Sequence, residues 1–170
     1  KLIEQARKED VERIDVTGGE FFMKKGWRQI AKALVENNYK PEISTKIPLD
    51  TDILDDIKKI GLGCVQYSLD TMNTEMAVNT LRVPTFYVEK LIDSIRYADS
   101  IGLQVILKPT LCKYTCNTEN VKSVLDFAAT LHNVKRIVVT AIGYSCFKPR
   151  ENYPAIRPTF KQIEEMRNFI

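Results

Sequence analysis

The strongest constraint on the fold is a regular alternation of short apolar runs with helical patterns. Five runs have the length of β-strands and are rich in Val, Ile and Tyr. They lie at 13–16, 42–45, 64–69, 104–111 and 136–142. The continuous run Ile137-Val138-Val139 indicates a strand that is buried on both faces.

Between these runs, apolar residues recur with the i, i+3, i+4 spacing of helices that bury one face. The stripes are Trp27-Ile30-Ala31-Leu34-Val35, Ile53-Leu54-Ile57-Ile60, Val88-Leu91-Ile92-Ile95 and Val121-Val124-Leu125-Ala128. Gly61 and Gly102 follow two of the helical segments, where a left-handed residue ends a helix. Thr159 with Gln162 predicts a capping box for a last helix.

Strand–helix units in succession predict an α/β fold with parallel strands and outer helices. The right-handed crossover rule leaves a doubly wound sheet or a (β/α) barrel. We expect one domain over residues 1–170. In both architectures ligands bind at the carboxyl ends of the strands, so the residues that follow each strand are the candidate site.

Composition excludes several classes of protein. The chain has 170 residues, 44% of them hydrophobic, and a net charge of +3, which together indicate a folded core and give no sign of nucleic-acid binding. Its single histidine, His132, excludes a multi-histidine metal site. Four cysteines are too few for a disulfide scaffold, so we expect reduced thiols in a cytoplasmic protein. No apolar run has the roughly 20 residues of a membrane span.

The run Thr17-Gly18-Gly19-Glu20 after the first strand has two interpretations. In the functional one, the glycines let a ligand approach the backbone and the Glu20 carboxylate receives a cationic group such as an ammonium. In the other, the run is a tight turn with Glu20 in the first turn of a helix, where the helix dipole favours it. It is not a phosphate-binding loop, because no Gly-Lys-Ser/Thr follows.

The order of the strand-end motifs resembles the radical S-adenosylmethionine (radical SAM) enzymes. Gly18-Gly19-Glu20, Ser44-Thr45, Ser68-Leu69-Asp70 and Arg82 follow one another at the expected strands. The resemblance is greatest to the peptide- and protein-modifying branch that often has a C-terminal SPASM-type cluster domain. It implies a partial (β/α)6 TIM-like barrel.

The activity implied by the resemblance is reductive cleavage of SAM at a [4Fe–4S] cluster, which produces a radical that abstracts a hydrogen from a substrate. The substrate would be a peptide, a protein or a small molecule, and the electron donor a ferredoxin or flavodoxin. The protein's own part would be to position and shield the reactants.

The resemblance also implies roles for the glycine-rich run and the strand that follows it. Gly18, Gly19 and Glu20 would hold the amino group of the methionine half of SAM. Ser44 and Thr45 would lie beside SAM. Lys46 and Ile47 stand where the family often has Asn-Gly, so the contacts of that loop differ here.

Later strand ends would complete the SAM site. Ser68 would bond to the ribose or the carboxylate of SAM, Arg82 would pair with the carboxylate, and Ile142 would pack on the adenine. Asp70 is the candidate catalytic residue and would face the substrate. Val83 stands where the family usually has a Gly beside the Arg.

The family's cluster motif, Cys-x-x-x-Cys-x-x-Cys, is absent. Cys112 and Cys116 have its first spacing, but Glu119 occupies the third position and the motif would belong after the first strand. We therefore expect a fragment that is cut at both ends, with the cluster ligands upstream and no metal ligand in the chain itself. As it stands, such a chain would be inactive.

Two alternatives remain open. The chain could be a barrel-like binding module that lacks the cluster, or a (β/α) barrel lyase that uses Lys108 as a Schiff-base amine. Cys64 is interpreted as a core residue, and Cys112, Cys116 and Cys146 as loop residues or thiols near the mouth of the barrel. The Pro-rich stretch after the fifth strand could cover a substrate channel.

Overall fold

The fold is taken from a computed structural model, which describes residues 2–12, 14–16, 19–144 and 152–170. The strands are β1 Ile43–Thr45, β2 Cys64–Tyr67, β3 Gln104–Leu107, β4 Thr110–Leu111, β5 Val134–Ile137 and β6 Thr140–Ala141. The helices are α1 Leu2–Lys8, α2 Trp27–Glu36, α3 Thr51–Ile60, α4 Thr74–Leu81, α5 Tyr87–Ser100, α6 Thr118–Ala128, α7 Tyr153–Ile156 and α8 Phe160–Phe169.

Four strands form one parallel sheet in the order β1-β2-β3-β5. Val65 of β2 lies between Ile43 and Val105, which fixes the register of the first three strands. The predicted α/β fold with parallel strands and outer helices is confirmed, and the sheet is an open part of a barrel. No strand closes it among residues 2–12, 14–16, 19–144 and 152–170.

Two predicted strands are each divided into two. The predicted strand 104–111 is interrupted at Lys108-Pro109, because proline has no N–H to donate to a neighbouring strand. The run 136–142 is likewise divided into β5 and β6. The short strands β4 and β6 pair in parallel and form a second sheet at the carboxyl ends of β3 and β5.

The core lies between the sheet and the helices whose apolar stripes the sequence shows. Leu54, Ile57, Leu91, Ile95 and Val124 are fully buried at 0% exposure. Full burial of each such side chain contributes about 1.5–3 kcal/mol to folding. The periodicity therefore identified both the helices and their inward faces.

Helix ends also follow the sequence. Gly61 ends α3 in the left-handed conformation, with φ +87°, and Gly102 follows α5 with φ +74°. The predicted capping box at the start of α8 is present, with the Thr159 hydroxyl and the Gln162 side chain exchanging hydrogen bonds with the backbone. In the described part of the chain, no helix is long and apolar enough to cross a membrane.

Three expectations about the elements need correction. The run Ile137-Val138-Val139 is only half-buried, because β5 has a neighbour on one side alone within the described sheet. The first predicted strand is reduced to one parallel bridge, Val16 to Ile43, with Arg13 outside the described residues. Helix α4 was not predicted, because it buries only Ala77 and so shows no apolar stripe.

Candidate functional site

A cleft of about 410 Å³ opens at the carboxyl ends of the strands. It brings together four predicted site residues that are far apart in sequence: Ser68 and Asp70 after β2, Arg82 after α4, and Ile142 after β6. The remaining lining residues are Lys46, Asn79, Thr80, Leu81, Thr110, Cys112, Tyr114, Thr115 and Ile156. The cleft therefore lies where the strand–helix topology predicts a ligand site.

Asp70 is held by the neighbouring segments. Its Oδ1 atom accepts a 2.7 Å hydrogen bond from the Thr110 N–H, and its carbonyl accepts a 3.0 Å bond from Asn120 Nδ2. Burial raises the pKa of Asp70 to about 6, against the opposing effects of the Thr110 N–H and the charge of Lys46. A carboxyl group with this pKa can accept or donate a proton near neutral pH.

Arg82 has an unusual backbone conformation. It ends α4 in the left-handed region at φ +57°, where side chains other than glycine are uncommon. Its side chain lines the cleft and is exposed. Within the part of the chain that the structure describes, its guanidinium forms no ion pair, so both of its N–H edges can bind a carboxylate.

Glu20 lies at the tip of the sheet beside β1. Its carboxylate accepts hydrogen bonds from the Thr45 hydroxyl at 3.0 Å and from the Lys46 N–H at 2.9 Å. Glu20 is not in the first turn of an α-helix, as the alternative interpretation required, because α2 begins only at Trp27. Glu20 instead has an extended backbone and precedes a single 3-10 turn at Phe21–Met23.

Gly19 adopts φ +58°, which explains why a glycine stands before Glu20. A Cβ atom at Gly19 would meet nothing within 4 Å, so the requirement is one of backbone conformation and not of space. The predicted ligand Gly18 lies outside the described residues.

Ser44 and Thr45 make contacts within the protein. The Ser44 hydroxyl accepts a hydrogen bond from Gln66 Nε2, and Thr45 is 1% exposed. Neither residue lines the cleft, and the contact from Thr45 orients Glu20. Their direct contact with SAM stays a prediction.

Tyr87 is a site residue that the sequence did not reveal. Its hydroxyl donates a hydrogen bond to the carbonyl of Lys46, which ties α5 to the end of β1. Burial, together with the charges of Asp70 and Glu20, raises the pKa of Tyr87 to about 12. No local motif in the sequence marked this contact.

The cysteines are distributed among different environments. Cys112 lines the cleft, Cys116 is buried at 2% exposure, and Cys64 is a core residue at the opposite end of β2, as predicted. Cys146 lies outside the described residues. Among the residues that are described, no group of three His, Cys, Asp or Glu side chains could hold a metal ion, so these residues do not fit an iron–sulfur cluster.

The groups around the cleft suit SAM better than they suit an iron–sulfur cluster. A carboxylate acceptor beside it, a guanidinium and a hydroxyl in its wall, and two isoleucines at one side match an ammonium, a carboxylate, a ribose and an adenine.

Comparison with solved structures places the fold. The structure matches SuiB from Streptococcus suis with a TM-score of 0.79 over 99% of this chain, at 16% identity. It matches HydG, a maturase of the [FeFe]-hydrogenase, with a TM-score of 0.72 over 96% of this chain at 13% identity. It matches coproporphyrinogen III oxidase (HemN) from Escherichia coli, described as a radical SAM enzyme, at 0.61 over 93% and 17% identity.

The chain has the fold of a radical SAM enzyme core. It spans about two fifths of these proteins, with coverage of 39% of the SuiB, HydG and HemN chains. SuiB has also been solved with S-adenosylmethionine and with the precursor peptide SuiA, and those structures match with TM-scores of 0.77 and 0.76. No protein-family model matches the sequence, and a search of curated proteins found no relative.

Proposed function

We propose that this chain is part of the core of a radical SAM enzyme that abstracts a hydrogen from a peptide or protein substrate. The observation that carries the proposal is the cleft at the carboxyl ends of the strands, which Ser68, Asp70, Arg82 and Ile142 all line in a radical SAM fold. Fold likeness alone does not specify an activity, so the site residues carry the argument.

Each end of SAM has a matching group in this proposal. The Glu20 carboxylate, oriented by Thr45 and the Lys46 N–H, receives the ammonium of the methionine half. Arg82 binds the carboxylate, and Ser68 bonds to the ribose or the carboxylate. Ile142 provides an apolar surface for the adenine. Gly18 and Gly19 provide backbone groups, and Ser44 and Thr45 border the site.

A [4Fe–4S] cluster held elsewhere in the parent protein, supplied with an electron by a ferredoxin or flavodoxin, would provide the reductive chemistry that makes the radical from SAM. The residues described here contribute binding, orientation and exclusion of water. Asp70, with its raised pKa, faces the substrate and can exchange a proton with it. The cluster ligands would have to come from residues of the parent protein other than those described here.

The peptide or protein substrate is proposed from SuiB, which has been solved with its precursor peptide. No observation favours either alternative, the Schiff-base lyase or the non-catalytic binding module. Lys108 is half-buried at the break between β3 and β4 and is not among the described residues that line the cleft, so this cleft gives no support to a Schiff-base lyase. A non-catalytic binding module stays a prediction that the parent sequence would decide.

Isothermal titration calorimetry with SAM tests the binding site. We expect the wild-type chain to bind SAM, and Glu20→Gln and Arg82→Gln each to weaken binding by at least tenfold, which corresponds to about 1.4 kcal/mol. Glu20→Gln keeps the length of the side chain and removes its charge, whereas Arg82→Gln removes the charge and also shortens the side chain. Glu75→Gln and Arg167→Gln change exposed residues outside the cleft and serve as matched controls. A wild-type chain that does not bind SAM would overturn the proposal.

The coding sequence upstream of Lys1 tests the catalytic half. A Cys-x-x-x-Cys-x-x-Cys motif after a strand pattern would support the enzyme, and the anaerobically purified parent should then form 5′-deoxyadenosine from SAM. A native start without those cysteines would instead favour the binding module.

A further inference from the structure

Among the described residues, three charged side chains line the cleft, and two of them are cationic. These are Lys46, Arg82 and the single carboxylate Asp70. The Asp70 carboxylate is already engaged by the Thr110 N–H at 2.7 Å. The wall of the cleft therefore presents more positive than negative charge to a ligand.

The backbone of Lys46 is held from two sides. Its N–H donates to Glu20 at 2.9 Å, and its carbonyl accepts a hydrogen bond from the Tyr87 hydroxyl. One contact comes from Glu20, which precedes β1, and the other from Tyr87 of α5. Together they fix the position of the Lys46 backbone. The side chain itself is exposed and lines the cleft.

The ammonium of Lys46 has no direct partner in the described structure. Among residues 2–12, 14–16, 19–144 and 152–170, it forms no ion pair within 4.0 Å and no side-chain hydrogen bond. Its charge acts to lower the pKa of Asp70, but the two groups are farther apart than ion-pair distance. An ammonium group whose backbone is anchored beside a cleft can reach a carboxylate there, and binding then has to order only the lysine side chain.

In the proposed SAM site, no group of SAM binds the Lys46 ammonium. SAM brings an ammonium for Glu20 and a carboxylate for Arg82, and it adds a positive sulfonium to the cleft. With SAM bound, Asp70 is the one carboxylate among the described residues that line the cleft, against the positive charges of Lys46 and the sulfonium. The remaining space thus favours a second ligand with negative charge.

We propose that the substrate carries a carboxylate group and that Lys46 binds it. This inference rests on the proposed function, because it takes the other cation, Arg82, to be occupied by SAM. The carboxylate can belong to an acidic side chain or to a chain terminus, and the two sources share the same chemistry. Lys46 is thereby a specificity residue and not a catalytic one.

The test is a ¹⁵N NMR titration of the chain with three small probes, each with and without saturating SAM. N-acetylglutamic acid α-amide has only a side-chain carboxylate, N-acetylglutamine has only a terminal carboxylate, and N-acetylglutamine α-amide has neither. We expect at least one acid to shift the amides of Lys46, Ser68 and Thr110, and the neutral probe to leave them unchanged. Whichever acid binds more tightly identifies the source.

Lys46→Met should weaken that binding at least tenfold. Lys40→Met is the matched control, because Lys40 is equally exposed but precedes β1, whereas Lys46 follows it at the cleft. Acids that bind no better than the neutral probe, or that bind equally to the Lys46 variant, would overturn the inference. If the Lys46 inference fails but SAM itself shifts the cleft amides, the proposed function still stands. If SAM shifts nothing, the proposed function fails, and the titration without SAM still decides whether Lys46 binds a carboxylate.

Discussion

At the scale of single residues, Asp70 carries the largest electrostatic cost in the cleft. Its pKa rises from 3.8 to about 6 because burial disfavours the charged form. The folded state therefore binds more protons than the unfolded state between about pH 4 and pH 6, and stability decreases as the pH rises through this window. Above it, the full penalty of about 3 kcal/mol is present, with water access reducing that figure.

Asp70→Asn should accordingly stabilise the chain at pH 7.5, by about 1–3 kcal/mol, and change little at pH 4. The asparagine Oδ1 atom can still accept the Thr110 hydrogen bond, so only the charge is removed. Urea unfolding at both pH values measures the difference between variant and wild type. Asp126→Asn, on an exposed face of α6, should show no such pH-dependent gain. A variant that loses stability at pH 7.5 would contradict the assigned cost.

At the scale of elements, the carboxylate of Asp99 connects the end of α5 to the start of β5. Asp99 is 7% exposed and accepts hydrogen bonds from the His132 N–H at 2.9 Å and the Asn133 N–H at 2.6 Å. Its own carbonyl accepts one from Asn133 Nδ2 at 2.9 Å. One side chain thus satisfies two backbone donors and sets where the sheet receives its next strand.

Asp99→Ala should lower the free energy of unfolding by about 2–3 kcal/mol, because two N–H groups lose their acceptor in a part-buried site. Chemical denaturation measures this loss. Asp93→Ala on the same helix removes an exposed carboxylate and should cost less than about 0.5 kcal/mol. Equal losses in the two variants would show that the Asp99 contacts do not matter.

At the scale of the whole molecule, the buried apolar side chains in the described part of the chain form two clusters of unequal size. The larger one joins the four-stranded sheet to α2, α3, α5 and α6. The smaller one consists of Leu111, Cys116, Val121 and Met166 and holds α8. Met166 is the one buried residue of that helix, and Gln162 adds hydrogen bonds to the carbonyls of Lys113 and Cys116.

We expect α8 to open without unfolding the rest, because stability is distributed according to buried contacts. Its amides should exchange with deuterium at least tenfold faster than those of α3. The two helices have the same length of 10 residues, but α3 buries Leu54 and Ile57 at 0% exposure. Hydrogen–deuterium exchange with mass spectrometry resolves both segments. Equal protection of α8 and α3 would mean that the two clusters unfold as one unit.

The α/β class, the parallel strands and the inward faces of four helices could all be predicted from the amino-acid sequence. This was possible because these features depend on local periodicity, as in α3 and α5, and on helix ends such as Gly61. The same local rules missed α4, which buries a single residue, and overestimated the burial of Val138, which depends on how many strands flank β5. Motif order was enough to predict the radical SAM fold.

Which side chains come into contact depends on the tertiary structure. Ser68 and Ile142 line one cleft because parallel strands bring their carboxyl ends to one edge, and that much was predictable. Arg82, which ends α4, lines the same cleft. The contact of Tyr87 with Lys46 and the raised pKa of Asp70 were not predictable, because they depend on distances between segments remote in sequence. Periodicity reports which face of an element is buried, whereas hydrogen-bond partners and local electrostatics depend on how the elements pack in three dimensions.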